Sequence, residues 1–343
     1  MEVSTGVIVT MPDVLRRARS AVGPEIERWL SRLAPPVRLV AEYHLGFADP
    51  SGRPTSGNGG KAVRPALALL CAEATGADAA TALPGAVAVE LVHNFSLLHD
   101  DVMDRDRERR HRLTAWALFG ESGAILAGDA LLNLAHQALL EVPSPARVEA
   151  SLTLSDATAR MIAGQADDVS LEADDAVTVE RCLRMMADKT GALLAGAAGI
   201  GAILAEGPER SIRSLERFGM HLGLAFQAVD DLLGIWGDPA TTGKPAAGDL
   251  RERKKSLPDA AALETAGPGA RKLRALLTGP ELADDGLAEA ARLVEHLGGR
   301  ERARDVAQDE LGRCLSALGG APLADAARGE LEELAQFVVE REF

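Results

Sequence analysis

Two aspartate pairs dominate the chemistry this chain could perform. The first lies in Leu98-His99-Asp100-Asp101-Val102-Met103-Asp104, shortly before Arg109 and Arg110. The second lies in Phe226-Gln227-Ala228-Val229-Asp230-Asp231-Leu232-Leu233-Gly234. Each follows an apolar run that suits a helix, and on a helix Asp100 and Asp104 share one face. Like charges at that spacing repel, so the helix gains nothing from them unless a cation sits between. Hard divalent ions such as Mg²⁺ take oxygen ligands and accept one or two carboxylates together with substrate phosphates. The pattern points to a metal-bridged phosphate site inside a helical protein.

Other polar groups stand in unusual places. Gly60-Lys61-Ala62-Val63-Arg64-Pro65 lies at a loop-to-helix junction, where free backbone N–H groups favour an anion. Lys61 and Arg64, three residues apart, share one side of that first turn. Lys189-Thr190-Gly191 interrupts apolar sequence, where a solvated lysine is out of place. Gln227 lies one turn before Asp230 and Asp231, within reach of a phosphate or a water. In Gly164-Gln165-Ala166-Asp167-Asp168, Gln165 and Asp168 form an ordinary polar pair at helical spacing. Gly237–Lys255, with Asp238, Lys244, Lys254 and Lys255, reads as a lid that closes to exclude water, its two final lysines being the weaker candidates.

Bulk composition narrows the class. With 343 residues, 47% of them hydrophobic, a large core requires helices that bury most of their apolar positions. A net charge of -14 argues against nucleic acid or an anionic membrane as partner, so a bound polyphosphate needs metal ions and placed Lys and Arg. Cys71, Cys182 and Cys314 are too scattered for a metal site and fit buried thiols in a cytoplasmic protein. Thr190–Ala205 is apolar but short and rich in Gly and Ala, which suits a buried helix rather than a transmembrane segment.

Helical periodicity runs through the chain, and alternating strands are absent. Helices are expected over Val14–Leu33, interrupted at Gly23-Pro24, then Arg64–Glu73, Pro84–Asp104, Ala124–Leu140, Ser144 to about Val169, Thr178–Glu206 and Pro208–Trp236. Leu282–Leu297, Arg300–Leu318 and Ala324–Glu340 follow. Pro50–Gly60 and Gly237–Lys255 read as loops, and Arg105–Arg112 as a dense charged stretch. No compositional break divides residues 1–343, so a single all-α domain is expected.

These motifs, in this order and spacing, resemble the trans-isoprenyl diphosphate synthases, or polyprenyl synthetases, over roughly residues 36–260. The resemblance implies the isoprenoid synthase fold, a single large helical bundle around a central cavity, and usually a homodimer. It implies about three Mg²⁺ ions held by Asp100, Asp104, Asp168 and Asp230, with Asp101 and Asp231 as weaker ligands. Arg109, Lys189, Thr190, Gln227 and Lys244 would then bind an allylic diphosphate. Gly60, Lys61, Arg64, His93 and Arg110 would bind isopentenyl diphosphate. The chain departs from the fuller pattern at Gly234, where a third Asp is usual.

The implied reaction is a condensation of two isoprenyl diphosphates. A fixed cationic array aimed at the leaving diphosphate lowers the barrier to breaking an allylic C–O bond. Phe95 and Ser96 lie five and four residues before Asp100, just over one turn below it, facing a growing chain. The resemblance implies that an aromatic floor at Phe95 beside the small Ser96 gives the C20 product, geranylgeranyl diphosphate, rather than farnesyl diphosphate. A non-catalytic partner subunit that keeps the scaffold is one alternative, and a terpene cyclase on the same fold is another. Its cavities use aromatic faces to steady cations, whereas this chain is only 3% aromatic.

Overall fold

The computed structural model describes residues 12–55, 60–172, 177–237, 247–279 and 282–339. The chain is all-α, with helices α1 (Asp13–Leu30), α2 (Pro35–Leu45), α3 (Val63–Ala74), α4 (Leu83–Met103), α5 (Ala115–Leu140), α6 (Pro145–Glu172), α7 (Val179–Met186), α8 (Ala192–Leu204) and α9 (Glu209–Trp236). Further helices follow at Gly248–Glu252, Leu257–Glu264, Pro268–Thr278, Asp284–His296, Gly299–Leu318 and Asp325–Val339.

α8 is the axis of the bundle. Its Ala- and Gly-rich sequence is buried on every side, against α3, α6 and α9. The small residues let neighbouring backbones approach: a Cβ on Gly201 would lie 2.1 Å from the carbonyl oxygen of Ala68 on α3. Leu193, Leu194 and Ile200 fill the remaining gaps, each contributing roughly 1.5–3 kcal/mol by leaving water. A smaller cluster, including Ile235, Leu250, Leu273 and Val294, joins the end of α9 to the helices beyond it.

Several local expectations are corrected. α1 runs unbroken through Pro24. The ring lies on the exposed side, so the Ser20 carbonyl it leaves without a helical donor faces solvent. α5 begins at Ala115 rather than Ala124, with its helical geometry broken at Gly120, where φ is 80°. The stretch Arg105–Arg112 leads into a two-stranded hairpin, β1 (Glu108–Arg109) against β2 (Arg112–Leu113). Gly237–Lys255 holds the helix Gly248–Glu252, while Asp238 and Lys244 lie outside the described residues. The structure adds α2, Leu257–Glu264 and Pro268–Thr278, helices of 8 to 11 residues that are too short to present a sustained pattern along the sequence.

Two helical segments, Ala79–Met103 and Ala115–Leu140, are long and apolar enough to cross a bilayer. They contain the packed α4–α5 pair of the bundle, and α4 ends in Asp100 and Asp101.

Candidate active site

The main cavity has a volume of about 1220 Å³ and opens among α3, α4, α6, α9 and the hairpin. Asp100 enters it from the end of α4 and Asp230 from α9. Lys189 and Thr190 enter from a π-type turn, Ala187–Gly191, between α7 and α8. That wide turn presses on α6 at Gly164, where a Cβ would come within 2.2 Å of the Lys189 nitrogen. Such insertions re-aim side chains out of a regular helix, and here they direct a lysine into the cavity. Gln165 lines the same wall, and both polar atoms of its amide are buried without a protein partner.

Acidic groups and ammonium groups alternate around this end. Lys189 bonds Asp168, and Lys254 reaches Asp104 at 2.8 Å across 150 residues of sequence. Burial pushes the Asp100 carboxyl up to about 6, with Lys189 opposing the shift and Asp104 adding to it. Asp101 points away from the cavity. It is buried, takes a 2.7 Å bond from Arg109 Nε, and is likewise pushed up to about 6 by burial. Asp231 is a scaffold group: it accepts from Gln227 Nε2 at 2.8 Å and from the Leu257 backbone N–H at 2.9 Å. Burial raises it to about 8. Gln227 in turn accepts a 2.7 Å bond from the Thr190 hydroxyl, so Asp231 fixes this cavity-lining pair at one remove.

Gly234 explains its own departure from the expected third Asp. A Cβ built there would lie 2.0 Å from Asp249 Oδ2 and 2.3 Å from its Cγ. The carboxylate of Asp249, carried by the helix Gly248–Glu252, occupies the space of the absent side chain.

This donor set fits Mg²⁺. It consists of carboxylates and amide oxygens, and two of its acids already hold ammonium groups. Among the described residues no three metal-binding side chains converge on one point. Mg²⁺ usually binds through one or two carboxylates completed by water and substrate phosphate, so it needs no closed protein cage.

The cavity lining also carries a cationic group. Gly60, Lys61, Arg64, His93, Arg109 and Arg110 all line the cavity. Arg110 packs on Gly60, where a Cβ would lie 2.7 Å from its Nη2, and Arg19 Nη2 donates to the Gly60 carbonyl at 2.8 Å. Arg110 and His111 form the two-residue hairpin turn with φ of 53° and 59°. Such left-handed turns normally use Asn-Gly, and each non-glycine residue there costs roughly 1–2 kcal/mol. Tyr43 of α2 holds the turn in place, its hydroxyl donating to the Leu113 carbonyl at 2.7 Å and its carbonyl accepting from Arg112 at 3.1 Å.

Arg64 donates to His93 Nε2 at 3.2 Å, which fixes the imidazole as a neutral acceptor. Burial and then the neighbouring Arg64 and Arg110 hold His93 well below the usual histidine range. His44 behind it is lowered to about 3 by burial and by Arg109 and Arg110. Both rings stay neutral while the guanidinium groups stay charged, so the patch carries positive charge ready for a polyanion.

The structure thus brings together all the described candidates except Asp101, Asp104, Asp168, Asp231, Lys254 and Lys255, which do not line the cavity. Asp168 is tied to the lining through Lys189, whereas Asp104 pairs with Lys254, which does not line the cavity. Lys254 and Lys255, expected in solvent, are partly and fully buried. Sequence reasoning missed Glu90, which lines the cavity and whose carboxyl burial pushes up against the opposing pull of Arg64. Its position one turn before His93 was the available signal. Lys254 and Asp249 gave none, because their partners are distant in sequence.

The chain matches the polyprenyl synthetase family over residues 52–294. It is 47% identical over 337 residues to a (2E,6E)-farnesyl diphosphate synthase of Mycobacterium tuberculosis, covering 97% of this chain and 94% of that one. A geranylgeranyl diphosphate synthase of the same organism is 41% identical over 332 residues, covering 96% and 93%. A solved polyprenyl synthetase from Streptomyces coelicolor superposes with a TM-score of 0.91 at 50% identity, covering 95% of this chain and 99% of that one. The fold, the matched span and these relatives agree: the chain belongs to the polyprenyl synthetases, the trans-isoprenyl diphosphate synthases, and is a short-chain prenyltransferase.

Proposed function

We propose that this enzyme joins isopentenyl diphosphate head-to-tail to dimethylallyl, geranyl or farnesyl diphosphate and stops at geranylgeranyl diphosphate. One observation carries the reading. A single cavity is lined by Asp100, Asp230 and Lys189, by a second cationic group of Lys61, Arg64 and Arg110, and by Phe95 with Ser96. An enzyme that ionised only one diphosphate would have no use for that second cationic group.

Asp100, Asp104, Asp168 and Asp230 would hold about three Mg²⁺ ions, which when bound neutralise charge on the departing diphosphate. Lys189, Arg109, Thr190 and Gln227 position that diphosphate. The allylic C–O bond breaks with both electrons leaving on oxygen. Lys61, Arg64 and Arg110 hold isopentenyl diphosphate so that its double bond meets the resulting cation, replacing a bimolecular encounter with a fixed approach. The condensed cation then loses a proton, for which the released diphosphate is the base.

Phe95 is buried at 7% exposure and forms the floor. Ser96 turns its hydroxyl back to the His93 carbonyl at 2.8 Å, leaving room beside that floor. Phe95→Ala is expected to lengthen the product, and an unchanged chain-length profile would place the floor elsewhere. The farnesyl synthase relative at 47% identity favours a second reading, in which elongation ends at C15. Purified protein with Mg²⁺ and farnesyl diphosphate, with and without isopentenyl diphosphate, tests all of this. A C20 diphosphate formed only with both substrates supports the reading, accumulation of C15 from geranyl diphosphate supports the second, and hydrocarbon from one substrate alone would indicate a cyclase.

We also propose a homodimer. Ile125 and Leu126 on α5 and Val148 and Leu152 on α6 are exposed large hydrophobics outside the cavity lining, which favours their burial. Sedimentation at one monomer mass would reject it. Three buried free thiols, Cys71, Cys182 and Cys314, fit a cytoplasmic setting.

A further inference from the structure

Phe95 does not hold its place alone. Its ring meets His99, one turn further along α4, edge to face at a centroid distance of 4.9 Å and an interplanar angle of 73°. Both rings line the cavity. The far side of the imidazole reaches α5, where Nε2 donates to the Ile125 carbonyl at 3.1 Å. There the ring lies on Gly128: a Cβ at that position would stand 2.3 Å from Nε2 and 2.5 Å from Cδ2. A contact below 3 Å cannot be accommodated without moving the ring, and α4 and α5 are packed along their length. The imidazole is therefore keyed into α5 by one hydrogen bond and one missing methyl group. Its other edge props the phenyl ring that closes the cavity.

We infer that His99 and Gly128 form a positioning pair that sets product length by holding Phe95, although Gly128 is not itself among the cavity-lining residues. This rests on the prenyl-elongating reading proposed above. It predicts shifts of opposite sign. His99→Ala removes the prop and opens space from the cavity toward Gly128, so the product lengthens. Gly128→Ala drives the imidazole off its seat toward Phe95, so the product shortens. With the imidazole gone, the added methyl group has nothing to displace. The double variant Gly128→Ala/His99→Ala should therefore fold normally and give long product, like His99→Ala alone. His99→Gln, which keeps a donor near the position of Nε2, should stay closer to the wild type than His99→Ala.

The test measures the chain-length distribution from labelled isopentenyl diphosphate with geranyl and with farnesyl diphosphate, alongside KM for isopentenyl diphosphate and the melting temperature. His99→Ala is expected to raise the share of product one C5 unit beyond the wild-type limit at least fivefold. Gly128→Ala should lower the share of the longest wild-type product by a similar factor, with KM for isopentenyl diphosphate within twofold in every variant. Folded single variants that leave the distribution unchanged, or move it in the same direction, would overturn the inference. If Gly128→Ala fails to fold, the double variant decides: wild-type product lengths from it refute the pairing. A wild-type protein that makes no elongated product would instead remove the functional reading underneath.

Discussion

The contact between Gly234 and Asp249 offers a direct test of the second acidic wall. Gly234→Asp installs the acid of the fuller family pattern, yet its Cβ would stand 2.0 Å from Asp249 Oδ2. The carboxylate of Asp249 must move. Overpacking of this kind costs about 1–3 kcal/mol. Two carboxylates held about 4 Å apart add about 1 kcal/mol in water and about 4 kcal/mol at a protein surface. Asp249 is half-buried on a five-residue helix that can yield, so the lower end applies and the total is about 2–3 kcal/mol. At roughly 2 °C per kcal/mol for a chain of this size, Tm should fall by about 4–6 °C. Calorimetry of the metal-free protein reads this directly. The double variant Gly234→Asp/Asp249→Ala, in which the space is vacated, should recover most of the loss. A single variant as stable as the wild type, within about 0.5 kcal/mol, would refute the placement of Asp249 over Gly234.

Three other expectations follow from the site. Asp100→Ala should lower turnover by orders of magnitude while circular dichroism shows the helix content intact, and near-normal activity would reject its assignment. Because the Asp100 carboxyl is pushed up to about 6, kcat/KM should fall as pH drops through that value, since the neutral acid cannot accept a cation. A flat acid limb would count against this. Asp231 bears on stability with the opposite pH sense. Its folded pKa of about 8 lies above the unfolded value, so its contribution is full at about pH 4 and is lost as pH rises through 8. Asp231→Asn leaves Gln227 or the Leu257 N–H facing another donor, at a cost of about 1–3 kcal/mol at pH 5. That deficit should shrink by pH 9, where urea unfolding would find the wild type carrying a buried charge. A deficit independent of pH would show that Asp231 does not titrate in this range.

Much of the site was legible because its chemistry is local. Asp100 and Asp104 share a helix face through spacing alone, Lys61 and Arg64 crowd one helix start, and Lys189 interrupts an apolar run. Gly234 was visible as a departure, but the carboxylate that fills its place was not. Glu90 was passed over because a lone acid near His93 carries no distinguishing pattern until Arg64 and Arg110 close around it. The hairpin was hidden because Arg110 and His111 are poor turn residues. Their left-handed backbone is imposed by Tyr43 and Gly60, from elsewhere in the chain.

The sequence by itself determined the helical class, the two aspartate motifs and the family's chemistry, since helical period and residue type are written within a few neighbouring positions. Tertiary structure alone decided which acids face the cavity and which are scaffold. Adjacent residues on a helix point about 100° apart, so Asp100 meets the cavity while Asp101 turns to Arg109, and Asp230 does so while Asp231 caps a distant helix. It also decided the pairings of Lys254 with Asp104, Asp249 with Gly234 and His99 with Gly128, because close packing makes partners of residues that sequence distance keeps apart.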